Sequence, residues 1–402
     1  MRGVSSKSEQ FTESVIRGMT RLCEQHGGIN LAQGFPDFPA PAEIKAAAKR
    51  AIDDDFNQYA VTWGVRAFRE AIADKVQRYN GIACNPETDV TVTCGSTEAM
   101  IAALLAVVNP GDEIVIFEPF YENYGPDAVI SGATPVYVSL RPPEFTFDPA
   151  ELRAACSRRT KAIIVNTPHN PSGHVVDRRE LETIAALCSE YDCIAITDEI
   201  YEYILYDGRQ HVSLASLPGM RERTITIGGL SKTYSITGWR LAYAVASSDL
   251  TAAIRKMHDF LTVGAPHPLQ QAGVQALRLP DTYYRQLAAG YAERRTVLAD
   301  ALKGVGFRIY PPQGAYYIIA DISDLLARLG LRDDVEFCNW LVSEIGVAAV
   351  PGSSFYRQAE LGRNLVRFAF CKRIETLREA ARRLTRLPRV QPVSSGDGTV
   401  AR

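Results

Sequence analysis

The sequence predicts an α/β protein: a large lobe in which helices cover both faces of a mainly parallel sheet, joined to a smaller α+β lobe. Three observations carry the prediction. Short apolar strand patterns alternate with helical ones from Val90 onward, the order that builds parallel β-α-β units. Polar residues recur where those strand patterns end, and ligands of open parallel sheets collect at that edge. The chain's 402 residues exceed what one small core organises and suit two lobes sharing a site. The large lobe is assigned to residues 45–280 and the small one to 1–44 with 281–388. Residues 389–402 are polar and rich in glycine and serine, so a disordered tail is expected there.

Formal net charge is −2 and no basic run is present, so nucleic acid is not an expected partner. No apolar run reaches the roughly 18–20 residues that cross a bilayer, and MRGVSSKSEQ lacks the hydrophobic segment of a signal peptide. A cytoplasmic protein acting on small molecules, without membrane attachment, is expected. Cys23, Cys84, Cys94, Cys156, Cys188, Cys193, Cys338 and Cys371 are scattered with no CxxC or Cys/His spacing. They read as buried thiols of a reducing compartment, and no metal site is expected.

Taken in order, apolar residues at helical spacing (Phe11, Val15, Ile16, Met19, Leu22) predict a helix over residues 8–26, ended by Gly27 and Gly28. INLAQGFPDFPAP follows as a short strand and a stiff Gly/Pro segment, in which Gly34 permits either close backbone approach to a ligand or a plain turn. Pro41 opens a helix to about Ala51. An aromatic loop with Tyr59 and Trp63 then precedes a helix from near Val65; the two aromatics suit an interface or a core as well as a site. From Val90 the run VTVT, CGSTEA, MIAALLAVV reads strand, glycine turn, helix, and presents the N–H groups of Ser96 and Thr97 to an anion. EIVIF delivers residues 118–124, where Tyr121 can either lie flat on a ring or pack in the core.

TPVYVSL is the next strand, a helix starts near Pro149, and KAIIVN runs into a Pro/Gly loop holding Asn170. That asparagine is either turn chemistry or a donor to a ligand oxygen. A helix over residues 179–190 leads to CIAIT and Asp198. A carboxylate ending an apolar strand needs a cationic partner or its pKa rises. A protonated pyridine nitrogen would be such a partner and would become an electron sink. Tyr201, one helical turn later, could reach the same ring.

Thr224 to Ile227 and Leu241 to Ala246 read as strands joined by GGLSKTYSITGWR. An ammonium held in such a loop is costly unless paired or neutralised, and a neutral Lys232 can form an imine with an aldehyde. Arg240, with a guanidinium shaped for a phosphate, stands eight positions later. The pairing suggests pyridoxal phosphate. A long helix from Asp281 to about Gly304 then leads to YPPQGAYYIIADI, VAAVPGSSFY and LVRFAF, an α+β lobe joined by the N-terminal segment. Arg367 alternates with apolar neighbours on a strand, so it is expected to be semi-buried and should hold an anion, such as a substrate carboxylate, or an internal carboxylate.

With these residues in place the chain resembles the class I/II, fold-type I PLP-dependent aminotransferases, and most of all their kynurenine/glutamine and methionine aminotransferase branch. QGFPDF, NQY, GSTEA, EPFY, NTPHNPSG, DEIY, SKTYSITGWR and VRFAF occur in that family's order, between about Phe11 and Leu387. The resemblance implies pyridoxal 5′-phosphate bound as a Schiff base to Lys232, which would also shuttle the proton. It implies Asp198 on the pyridine nitrogen, Tyr201 and Asn170 on the phenolic oxygen, and Tyr121 stacked on the ring. Gly95, Ser96, Thr97, Ser231 and Arg240 would form the phosphate site, with Tyr59 reaching in from the other subunit of a homodimer. Arg367, Asn170 and the backbone of Gly34 would bind the substrate's α-carboxylate. The chain departs from many members in having Gly229 where they place a phosphate-binding serine. His169, His174 and His267 also occupy loop positions where other residue types are frequent in the family.

The expected reaction is ping-pong transfer of an amino group from an L-amino acid to a 2-oxo acid. Phe11, Ile16, Tyr59, Trp63 and Tyr121 lean towards an aromatic or large apolar side chain on the donor. A rival keeps fold and cofactor but directs the same carbanion to β/γ-elimination, oxidation or carbon–carbon bond formation. A ligand-sensing domain of a transcription regulator would need a DNA-binding module, and none is expected before the first helix.

Overall fold

The computed structural model describes residues 3–388, so the expectation for the 389–402 tail lies outside the described residues. The first helix is shorter than its apolar spacing suggests. Helix α1 spans Val15–Gln25, with the Ser14 hydroxyl accepting from the Arg17 N–H as its cap. Residues 6–9 form turns instead, closed by local bonds such as Ser8 Oγ to the Ser5 carbonyl. Serine-rich chain competes for its own backbone groups in this way, which overrides the apolar positions nearby.

Strand β1 (Ile29–Asn30) follows, then helices α2 (Ala42–Asp53) and α3 (Arg66–Lys75). The β-α repeat runs through β2 (Val90–Thr93), α4 (Ser96–Val107), β3 (Glu113–Glu118), α5 (Tyr124–Ser131), β4 (Thr134–Ser139) and α6 (Pro149–Ala155). It continues through β5 (Thr160–Asn166), α7 (Arg178–Glu190), β6 (Ile194–Asp198), β7 (Thr224–Gly229) and β8 (Ala242–Val245). The turn that carries Tyr201 after β6 is not helical. Helices α8 (Ser248–Thr262) and α9 (His267–Leu277) complete this part.

These strands form one sheet of order β2-β8-β7-β6-β5-β3-β4. β4, β3, β5, β6 and β7 are mutually parallel, and β8 runs antiparallel to both its neighbours. Strands buried on both faces need apolar residues at every position rather than at alternate ones, as Ile114 to Phe117 and Ala162 to Val165 supply. Alternate residues nonetheless serve different cores. Ile114, Ile116, Ile164 and Ile196 pack under α4, α5 and α8, whereas Val115, Phe117, Ile163 and Val165 join a core that continues into the second sheet.

After the 24-residue helix α10 (Asp281–Gly304) come β9 (Arg308–Tyr310), β10 (Tyr317–Asp321), α11 (Ser323–Leu329) and α12 (Asp334–Trp340). β11 (Val347–Ala348), β12 (Val350–Pro351), β13 (Leu365–Ala369) and α13 (Ile374–Leu384) end the fold. The second sheet is antiparallel, ordered β12-β13-β10-β9. β1 pairs in parallel with β11 as a separate two-stranded sheet, and the Ala369 N–H of β13 donates to the Leu31 carbonyl at 2.7 Å, which ties the N-terminal segment to the second sheet. Among the described residues no helix is long and apolar enough to cross a membrane.

Candidate active site

Register brings the first two site residues together, because Asn166 at the end of β5 is the direct neighbour of Asp198 at the end of β6. Asn166 Nδ2 donates to the Asp198 carbonyl at 2.8 Å, and its Oδ1 accepts the Asn170 N–H at 2.7 Å. One asparagine thus folds the Pro/Gly loop back over the sheet edge. Asp198 itself is buried, with Oδ2 accepting from the Tyr124 hydroxyl at 2.8 Å and Oδ1 from the Ile200 N–H at 3.3 Å. Burial raises its pKa more than these bonds and the charge of Lys232 lower it.

Lys232 leaves the loop after β7 and points into a cavity of about 100 Å³. Its pKa falls from 10.5 to about 8, first through burial, with Arg240 and Arg367 adding repulsion and Cys371 and Asp198 opposing it. About a tenth of such an amine is neutral at pH 7. Nζ donates to the Gly34 carbonyl at 3.2 Å, an oxygen that also accepts from the Tyr316 hydroxyl at 2.8 Å. Gly34 therefore enters the site as backbone, and its lack of a side chain matters. A Cβ there would lie 2.9 Å from Tyr317 Cζ and closer still to its hydroxyl.

Across the cavity the N-terminus of α4 presents Ser96 and Thr97, and Ser231, Thr237 and Arg240 line the same space. Gly95 caps that helix with φ +86°, and a Cβ on it would sit 2.7 Å from Arg240 Cζ. Arg240 has φ +53°, a left-handed backbone that a non-glycine residue adopts at some cost and that marks constrained sites. Gly229 has no room for the serine that many family members carry. Its added Cβ would be 2.7 Å from Ile200 Cδ1 and 2.9 Å from Ala242 Cβ.

Arg367 is fully rather than partly buried, at 1% exposure. It lies on β13 between Ile319 and Val350 of the flanking strands. It donates to Asn170 Oδ1 at 2.9 Å and to the Ala32 carbonyl at 2.6 Å, and Nε has no partner among the described residues. Among the described residues no carboxylate pairs with it, so no internal salt bridge is found there for this arginine.

The structure therefore gathers Ser96, Thr97, Tyr121, Asn170, Asp198, Tyr201, Ser231, Lys232 and Arg240 around one cavity, with Gly34, Gly95 and Arg367 bonded or packed against its walls. Tyr59 is 88% exposed and outside that lining, and Trp63 lies under the Arg255 guanidinium at 5.0 Å. Phe11 and Ile16 do not reach the cavity: Phe11 borders a surface cleft with Phe120 and Arg357, and Ile16 is core. His169 is buried on Ser172 at 2.7 Å with its pKa pushed down to about 3 by burial, hence neutral. His174 binds Glu180 at 2.9 Å and His267 binds the Gln58 carbonyl at 3.0 Å, away from Lys232.

Tyr124, Asn166, Thr237 and Tyr317 line the cavity without having been singled out by the sequence reasoning. Asn166 had a usable signal, being the polar last residue of β5, whereas Tyr124 opens α5 six residues beyond β3. His258 was also missed. It joins Glu98 in the first turn of α4 to the Thr62 carbonyl at 3.0 and 2.8 Å, fixing the loop that carries Tyr59. Glu199, Glu202 and His211 come within ligand range of one another, but the Lys75 ammonium already pairs with Glu202 there.

A parallel-sheet edge with its amine in the β7–β8 loop, covered by a second antiparallel sheet, places the protein among the fold-type I transferases. Comparison with known proteins narrows this to one family. The chain belongs to the aminotransferases of class I and II, whose family model matches residues 26–384, and it is an aminotransferase. It is 38% identical to the methionine aminotransferase of Escherichia coli K12, covering 95% of this chain and 98% of that one. It is 36% identical to human kynurenine–oxoglutarate transaminase 1, over 89% and 92% of the two chains. The N-succinyldiaminopimelate aminotransferase structure from Mycobacterium tuberculosis superposes with a TM-score of 0.92 at 39% identity, over 96% of this chain and all of that one. Amino-group transfer is thus favoured over elimination, oxidation or carbon–carbon bond formation.

Proposed function

We propose that the chain holds pyridoxal 5′-phosphate on Lys232 and transfers the amino group of an L-amino acid with an aromatic or large apolar side chain to a 2-oxo acid. It does so by a ping-pong path, as a cytoplasmic homodimer with a large domain of residues 45–280 and a small domain of residues 1–44 and 281–388. The observation that carries this reading is Lys232 with its pKa near 8, sharing a cavity with a buried acid whose pKa is raised. Two further features fit this reading: the Gly95 cradle facing Arg240 suits the cofactor's phosphate, and the Nε of Arg367, unpartnered among the described residues, suits the substrate's carboxylate. The eight cysteines are free thiols, which persist in a reducing compartment. Relatives named for methionine and kynurenine support a large side chain on the donor.

The bound cofactor supplies an aldehyde that condenses with amines and a pyridinium ring that accepts electrons. The residues do the rest. Neutral Lys232 would anchor the aldehyde, and its Nζ would serve as the base that takes the substrate's α-proton and returns it one atom further along. Asp198 would keep the ring nitrogen protonated, through a charge pair strengthened by burial, while Tyr124 and Ile200 hold the carboxylate in place. Tyr201 and Asn170 would donate to the phenolic oxygen and Tyr121 would cover the ring. Ser96, Thr97, Ser231 and Arg240 would hold the phosphate, with Tyr59 of the partner subunit. Arg367, Asn170 and the Gly34 backbone orient the substrate carboxylate, so that the α-proton faces Lys232.

The test is a half-reaction. The purified holoenzyme is mixed with single L-amino acids and no acceptor, and conversion of the cofactor to its amine form is followed by absorbance. One equivalent per subunit with methionine or aromatic donors supports the proposal. Release of ammonia without that conversion refutes it, as does undiminished turnover in Lys232→Ala.

A further inference from the structure

Beside Lys232 two phenols meet from opposite sheets. Tyr201 hangs from the turn after β6, Tyr317 opens β10, and their hydroxyls are 2.9 Å apart. Both side chains are buried, at 3% exposure each. The rings stand nearly edge to face, 5.9 Å apart at 83°. The Tyr317 hydroxyl is also confined from behind, where even a methyl on Gly34 would collide with it. The Arg367 guanidinium lies over the Tyr317 ring at 4.3 Å, so the ring serves as a wall of the carboxylate site. The hydroxyl has no part in that wall. A ring needed only for stacking would bury no hydroxyl, since burying one without use is unfavourable.

A phenol has one proton to give and an oxygen that accepts. If Tyr201 donates its proton to the cofactor's phenolic oxygen, its own oxygen is left as an acceptor, and the Tyr317 hydroxyl is the donor at hand. A hydrogen bond received in this way polarises the O–H beyond it and strengthens its next bond. We propose that Tyr317 is a positioning residue whose hydroxyl orients and polarises Tyr201 towards the phenolic oxygen of the bound cofactor. This rests on the proposed function, and deepens it by naming a second-sheet residue that controls the charge at the reacting end of the ring. Negative charge on the phenolic oxygen is stabilised by the Tyr201 bond, so the proton shared with the neighbouring nitrogen is held less tightly. Weakening that bond raises the pH at which the proton leaves.

The test is a pH titration of the visible absorbance of the holoenzyme in wild type, Tyr317→Phe, Tyr201→Phe and the double variant. Tyr317→Phe keeps the stacked ring and removes one oxygen. Its midpoint should move upward by about 0.5–1 pH unit, the worth of one neutral hydrogen bond. Tyr201→Phe should move it further in the same direction, and the double variant should match Tyr201→Phe, because Tyr317 acts only through that hydroxyl. A purely structural role would leave the midpoint in place. An unmoved midpoint in Tyr317→Phe overturns the proposal. So does a downward shift, which would mean that Tyr201 gives its proton to Tyr317, or additive shifts in the double variant. If the function itself is misread, wild type loaded with excess pyridoxal phosphate shows no visible band to titrate. If this inference alone fails, wild type titrates normally and Tyr317→Phe coincides with it, moves down, or adds to Tyr201→Phe.

Discussion

The amine of Lys232 should be far more reactive than an ordinary lysine, by an amount that can be worked out. Its pKa of about 8 replaces the usual 10.5. At pH 7 the neutral fraction is then about a tenth instead of roughly three parts in ten thousand, a gain of about 300-fold. Competitive acetylation of the cofactor-free protein, read peptide by peptide across pH 6–10, gives the titration midpoint of each lysine directly. Lys232 should titrate near pH 8, well below the ordinary lysine value of 10.5. Asp198→Asn sharpens the test. The carboxylate is one of the two groups that hold the Lys232 pKa up, so its loss should carry the midpoint below 8 and make the amine more reactive in the cofactor-free state. The same variant should lose roughly 10²–10⁴-fold in transamination, because the ion pair proposed between this carboxylate and the ring nitrogen would be gone. Reactivity up and turnover down is a combination that simple misfolding cannot produce. A wild-type midpoint near 10, or a midpoint that rises in Asp198→Asn, would refute the account of the site's electrostatics.

Three further outcomes are expected. Asp127 on α5 is buried with its Oδ2 unpartnered among the described residues, and burial pushes its pKa from 3.8 up to about 7. The unfolded chain therefore releases this proton first, and stability falls as pH rises from about 4 to about 7 and is flat above. The gap is worth about 4 kcal/mol, so Asp127→Asn should abolish most of that fall in urea melts at pH 5 and pH 8; parallel pH profiles would contradict it. His258 behaves in the opposite sense. Burial lowers its pKa, but the Glu98 carboxylate more than reverses this and leaves it raised. Its contribution is thus complete below pH 6.5 and disappears as pH rises through the higher folded value. His258→Gln should cost roughly 1.5–3 kcal/mol at pH 6, and less at pH 9, in the same assay. Gly95→Ala combines a φ of +86° with a methyl against Arg240. It should weaken pyridoxal phosphate binding at least tenfold by equilibrium titration, and unchanged affinity would remove Gly95 from the phosphate site.

The parallel half of the fold was legible because its signals are local. Apolar runs such as Ile114–Phe117 and Ala162–Val165 can be read without knowing their partners, and the residues just beyond them, Asp198 and Asn170 among them, fall at the ligand edge by topology. Length along the chain was harder to judge. Apolar spacing extended the first helix to residue 8, where serine side chains bind the local backbone instead. Phe11 and Ile16 misled for a related reason: apolar character says that a side chain will be covered, but not by what, and Ile16 is covered by the core. The Gly229 departure was visible in sequence, whereas its cause, the packing of Ile200 and Ala242 against that backbone, depends on a turn and a strand that only the fold brings together.

What remained hidden is almost all of one kind, contacts between the two sheets. Lys232 bonds the Gly34 carbonyl, Arg367 bonds Asn170, and Tyr317 bonds Tyr201. In each pair one residue stands at the edge of the parallel sheet and the other in the N-terminal segment or the antiparallel sheet. No periodicity in a sequence reports hydrogen bonds that span 116 to 198 residues. These three bonds also converge on the three tasks of the proposed reaction, which are proton transfer, carboxylate recognition and charge control at the phenolic oxygen. A shift of the antiparallel sheet relative to the parallel one would loosen all three together, since a side-chain hydrogen bond stretched to 3.6 Å is no longer one. Substrate carboxylate gripped by Arg367 and Asn170 would oppose that shift by adding charge-assisted bonds at the same seam. Binding of a good donor and alignment of the catalytic groups would then be one event, because Arg367, Lys232 and Tyr201 are all held by bonds that cross the same seam.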